Sequence, residues 1–137
     1  MYLLDTNVIS ELRRPERASS HVTRWASSID PQDLFLSAVS LMELEIGAGL
    51  VLRRDKTQGE ILWKWIGSQV KPIFSDRILP FGMRAAEICA GLHVPDRRPE
   101  RDAMIAATAL EFGLVMVTRN TADFEPLGVR VLNPWQA

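Results

Sequence analysis

Arg101-Asp102-Ala103-Met104-Ile105-Ala106-Ala107-Thr108-Ala109-Leu110-Glu111-Phe112-Gly113-Leu114-Val115-Met116-Val117-Thr118 holds a helix, a stop and a strand in succession. Over residues 101–112 the apolar residues reach nearly every side of a helical repeat, so this helix is expected deep in the molecule. Gly113 ends it. Residues 114–118 are the clearest strand in the chain, short, apolar and rich in valine.

The same alternation recurs outward from that run. Tyr2-Leu3-Leu4, closed by Asp5, reads as a strand buried on both faces. Helical spacing follows over residues 8–13 until Pro15, and over 22–29 until Asp30-Pro31. A strand is expected at 34–36, then helices over 40–52 and 57–70. Trp63 falls off the apolar stripe of the second of these and is expected at the surface, where a tryptophan can anchor a partner. Ile78-Leu79-Pro80-Phe81 reads as an edge strand or an extended connection. A helix over 83–93, a polar loop over 95–99 and a last strand over 129–132 complete the pattern. Strands alternating with helices place the chain in the α/β class, with a parallel sheet covered on both faces. In such sheets the ligand crevice lies outside the carboxyl ends of the strands. Asp5 and Asp123 both follow strands.

With 137 residues, one domain spanning 1–137 is expected. A 47% hydrophobic content with dispersed charge is that of a globular protein. The net charge of −1 lacks the basic excess of a general nucleic-acid coat. Basic residues cluster only locally, at Arg13, Arg14 and Arg17, at Arg53, Arg54 and Lys56, and at Arg97, Arg98 and Arg101. These are solvated faces, or one or two of them border a site and hold phosphates. Cys89 is the only cysteine and sits in an apolar run, so it reads as a buried small hydrophobe. Without a disulfide, a reducing cytoplasm fits. The amino terminus reaches Asp5 too early for a signal peptide, and no apolar run is long enough to span a membrane.

Four acids stand out, and each has a local role of its own. Asp5-Thr6 suits a helix amino cap. Ser40-Leu41-Met42-Glu43 has the form of a capping box. Asp102 lies in a first helical turn, where negative charge suits the helix dipole. Asp123 suits a turn. Their surroundings argue for more. Asp5 closes a buried strand, Glu43 has Gly47 one helical turn on, and Asp102 opens a helix too apolar for the surface. Two carboxylates ~4 Å apart repel by about 4 kcal/mol at an effective dielectric near 20, so a cluster of them needs protons, arginines or a divalent cation. An all-oxygen set suits Mg²⁺ or Mn²⁺ and not Zn²⁺. His21 and His93 have no metal-ligand spacing and are expected at the surface or in packing.

These acids lie in segments that resemble the four motifs of PIN domains. Leu3-Leu4-Asp5-Thr6-Asn7 resembles the first. Ser40-Leu41-Met42-Glu43-Leu44-Glu45-Ile46-Gly47 is similar to the second, with Glu43 the better match and Glu45 the poorer. Residues 101–109 are similar to the third and 117–124 to the fourth. Order and spacing agree from residue 1 to about residue 134. Length and wording resemble the VapC/FitB branch, the toxin half of bacterial type II toxin–antitoxin pairs.

The resemblance implies a three-layer α/β/α fold with a central parallel sheet, a homodimer or a larger complex with an antitoxin protein, and metal-dependent cleavage of RNA. Asp5, Glu43 and Asp102 would hold Mg²⁺ or Mn²⁺, and Asp123 would complete the negative pocket. Thr6, Thr118 and Asn120 would orient carboxylates or waters. Two alternatives stand beside this reading. One is a module that binds RNA or metal without cutting. The other is a phosphatase with Asp5 as nucleophile, against which Asn7 occupies the place where a second Asp is needed.

Overall fold

The computed structural model describes residues 1–137. Five strands form one sheet: β1 (Tyr2–Leu4), β2 (Leu34–Ser37), β3 (Ile78–Leu79), β4 (Val115–Val117) and β5 (Val131–Leu132). Their spatial order is β3-β2-β1-β4-β5, and every neighbouring pair is parallel. The helices are α1 (Thr6–Leu12), α2 (Ser20–Ser28), α3 (Ala38–Arg54), α4 (Lys56–Trp65), α5 (Lys71–Ile73), α6 (Met83–Leu92), α7 (Glu100–Phe112) and α8 (Thr121–Phe124).

The two-residue period of the strands builds the layers. Leu4 and Val117 point into one core, with Val8 and Ile9 of α1 and Leu44 and Ala48 of α3. Leu3 and Met116, one residue back, point into the other, with Ile105, Ala106 and Ala109 of α7. All four strand residues are fully buried. Each such side chain contributes roughly 1.5–3 kcal/mol through burial. This is the expected α/β/α sandwich, with helices on both sides of a parallel sheet. The order reverses between β1 and β4, because the chain first builds outward to β3 and then crosses back. The carboxyl ends of β1 and β4 therefore flank a topological switch point.

The structure moves several expected boundaries. α3 begins at Ala38 and not at residue 40, because β2 runs straight into it. Ser37 caps it, its Oγ accepting from the amides of Val39 at 2.9 Å and Ser40 at 3.3 Å. Ser40 lies inside the helix and is buried, so the capping-box reading of Ser40 and Glu43 fails. The expected helix 57–70 is α-helical only to Trp65 and continues as a π-helical turn over Ile66–Val70 into α5. Pro72 lacks an N–H, and its ring crowds the carbonyl four residues back in an α-helix. The wider turn before it accommodates both effects. Ile78-Leu79 is a true edge strand on β2, stopped at Pro80. Trp63 is at the surface as expected, 38% exposed. α3 and α4 approach so closely that a Cβ on Gly59 would stand 2.3 Å from Leu52 Cα.

Candidate active site

Asp5 sits where β1 gives way to α1, buried at 6% exposure. Its capping role is real, since Oδ1 accepts from the Thr6 amide at 2.8 Å. Its other oxygen is held independently. Thr118, at the end of β4, donates its hydroxyl to Asp5 Oδ2 at 2.8 Å, and Asn7 donates Nδ2 to the same oxygen at 3.4 Å. The Thr118 hydroxyl accepts in turn from the Asn120 amide at 3.0 Å. Burial pushes the Asp5 carboxyl up to about 6, and the charges of Asp102 and Glu43 push the same way, while hydrogen bonds from Thr118 and Thr6 pull it back. A buried carboxylate is costly unless it is bonded, and these donors keep its charged form accessible.

Glu43 comes from the second turn of α3 and is oriented by Thr6, whose hydroxyl donates to Oε1 at 2.7 Å. Arg101 stands 3.7 Å from its other oxygen. Asp102 opens α7, and its carboxyl is raised by burial and then by the charges of Asp123 and Glu43. Asp5, Glu43 and Asp102 line one cleft of about 540 Å³, together with Thr6 and Asn120. Asp123 is placed differently. It is exposed in α8 and does not line this cleft, though its charge reaches Asp102. Glu45 is excluded from the site, because it pairs with Lys71 of α5 at 2.9 Å.

The cleft is open, polar and all-oxygen in its acidic donors. No three His, Cys, Asp or Glu side chains converge into a ready-made metal cage. Mg²⁺ keeps several of its waters, so carboxylates bordering a roomy cleft suit it better than a closed cage would. Three residues of this site lie outside the set expected to act there. Asn7 bridges Asp5 and β4, its Oδ1 accepting from the Arg119 amide at 3.4 Å. Arg119 and Trp135 line the cleft, with the guanidinium 5.0 Å from the ring centroid. Position after a strand end could have flagged Arg119; nothing local flags Trp135.

The PIN-domain family model matches residues 2–127, which contain all four acids. The chain belongs to the PIN-domain family. Over its whole length this PIN domain is similar to Toxin FitB of Neisseria gonorrhoeae, with 37% identity over 140 residues, 98% of this chain and 99% of that one. It is 35% identical over 144 residues to a VapC ribonuclease of Sinorhizobium fredii, covering 99% of each. The crystal structure of FitAcB from Neisseria gonorrhoeae superposes with a TM-score of 0.90 at 36% identity, covering both chains fully. The VapC/FitB resemblance of the motifs and the PIN fold therefore agree.

Proposed function

We propose that this PIN domain is an Mg²⁺- or Mn²⁺-dependent endoribonuclease, the toxin of a type II toxin–antitoxin pair, with the whole chain 1–137 acting as one domain in the cytoplasm. One observation carries the reading: Asp5, Glu43 and Asp102, from three separate elements, border one cleft at the switch point of the sheet. The names of its relatives, a toxin and a ribonuclease, support it.

In this reading Asp5, Glu43 and Asp102 hold the cation, partly through water, and Asp123 adds negative charge beside Asp102. A bound Mg²⁺ or Mn²⁺ supplies polarisation of the phosphoryl oxygen and acidifies a water. Thr118 keeps one oxygen of Asp5 fixed, and Thr6 does the same for Glu43. Asn120 acts through its backbone, which holds the Thr118 hydroxyl in line. Hydrolysis of RNA should leave a 5′-phosphate and a 3′-hydroxyl. The antitoxin would be a small protein, and an apolar groove of about 200 Å³ beside Leu12, Trp65, Ile73 and Phe74 offers it a surface. Met42, Ile46 and Leu50, exposed at four-residue intervals on α3, support self-association as a homodimer.

Purified protein should cut structured RNA with Mg²⁺ or Mn²⁺ and stop in EDTA. Cutting that continues unchanged in EDTA would sink the metal dependence. RNA bound tightly in Mn²⁺ but never cut would favour the non-cleaving module.

A further inference from the structure

Arg119 is the only cation on the cleft wall, which carries Asp5, Glu11, Glu43 and Asp102. A long, flexible arginine beside four carboxylates would ordinarily fold onto one of them. Arg119 forms no ion pair. Its guanidinium lies instead over Trp135, the single hydrophobic residue of the wall. Both ends of this arrangement are anchored. The Trp135 amide donates to Asn133 Oδ1 at 2.9 Å, and the Arg119 amide donates to Asn7, which also contacts Asp5. Arg101 is not equivalent, because it faces Glu43 and lies outside the wall.

RNA carries a charge at every phosphate, so a strand entering this cleft meets repulsion on both sides of the scissile bond. We propose that Arg119 takes a backbone phosphate flanking the one being cleaved. Trp135 is then a positioning residue that keeps the guanidinium off the carboxylates. The inference rests on the ribonuclease reading above. The contact recognises phosphate charge, so it is independent of base sequence.

The test measures binding of a short fluorescein-labelled single-stranded RNA of mixed sequence, by anisotropy across a salt series. It uses the Asp5→Asn protein in Mg²⁺, so that the probe survives. Adding Arg119→Ala should weaken binding about tenfold and reduce the log–log salt slope by about 0.7. Trp135→Leu should give a similar loss by releasing Arg119 onto the acids, and Trp135→Phe should restore most of it. Arg54→Ala, at the far end of α3, should leave the slope unchanged. An unaltered slope in Arg119→Ala overturns the phosphate assignment. A Trp135→Leu protein that keeps the parent slope overturns the positioning role. Cleavage by the otherwise unmodified chain is followed in parallel. Binding with the expected slopes but no cleavage overturns the ribonuclease reading and leaves Arg119 in place. Cleavage that Arg119→Ala does not affect overturns only the arginine. No binding by any of these proteins overturns both.

Discussion

The floor and the rim of the cleft are built on different principles. On the floor, Asp5 is buried and tied by Thr6 and Asn7 from the start of α1 and by Thr118 from the end of β4. On the rim, Asp102 opens a helix and Asp123 is exposed in a short one, and neither carboxylate accepts a hydrogen bond. The floor fixes direction at the cost of desolvating a charge. Around it, Asp102 on the cleft wall and Asp123 just outside it supply charge without hydrogen-bond partners of their own. Under the proposed function, a site that gathers a hydrated cation and then an RNA strand would use both, one acid held still and others left without fixed partners.

The largest effect should come from neutralising the floor. Asp5→Asn is expected to reduce RNA cleavage by on the order of a thousandfold or more in a gel assay. It should also keep its circular-dichroism spectrum and melt no lower at neutral pH, because a buried charge is removed. Asp102→Asn should lose cleavage comparably, because Asp102 is proposed to hold the cation together with Asp5 and Glu43.

Thr118→Val comes next. It strips the closest side-chain donor from Asp5 Oδ2 and should cut metal affinity or activity by about 10–100-fold. Stability should fall by about 1–3 kcal/mol in denaturant titrations near neutral pH, since the acceptor is buried.

The floor also predicts a pH dependence in EDTA. The folded Asp5 carboxyl is raised from 3.8 to about 6, so the folded state holds its proton more tightly than the unfolded chain does. The Asp5 contribution to stability is then largest below 3.8, declines as pH rises to about 6, and is flat above, with a total change of up to about 3 kcal/mol. Asp102, raised as well, adds to the fall in the same direction. Urea midpoints across this range should show the decline, and Asp5→Asn should lose most of it.

The smallest effect belongs to Asp123→Asn. Exposed charge is screened, so cleavage should drop less than about tenfold. A loss as deep as that of Asp5→Asn would move Asp123 from the field around the site into its ligand set.

The sequence carries the floor more plainly than the rim. Apolar runs at Tyr2-Leu3-Leu4 and at Leu114-Val115-Met116-Val117 read as buried strands, which the structure puts side by side at the centre of the sheet, with Asp5 and Thr118 at their ends. What local pattern misses is long-range or competitive. Ser40 looks like a cap until the abutting β2 gives that role to Ser37. Glu43 and Glu45 are separated by motif wording alone, whereas the structure separates them by partner, Thr6 for one and Lys71 for the other. Asn7 and Arg119 meet across 112 residues of chain, and Trp135 joins them from the carboxyl end. No window of sequence contains that contact. β5 is shorter than the expected strand over 129–132: Val131 and Leu132 stand in register with β4, and Arg130 adds only its carbonyl, which accepts from the Met116 amide at 2.8 Å.

The most direct test of the central claim is a calorimetric titration of the protein with Mn²⁺ near pH 6 and again well above it, in buffers of different ionisation heat. Binding should occur, should release protons near pH 6 where Asp5 is part-protonated, and should release fewer at the higher pH. Asp5→Asn should bind far more weakly. Equal Mn²⁺ affinity in Asp5→Asn and the unmodified chain would contradict the assignment of this cleft as the metal site.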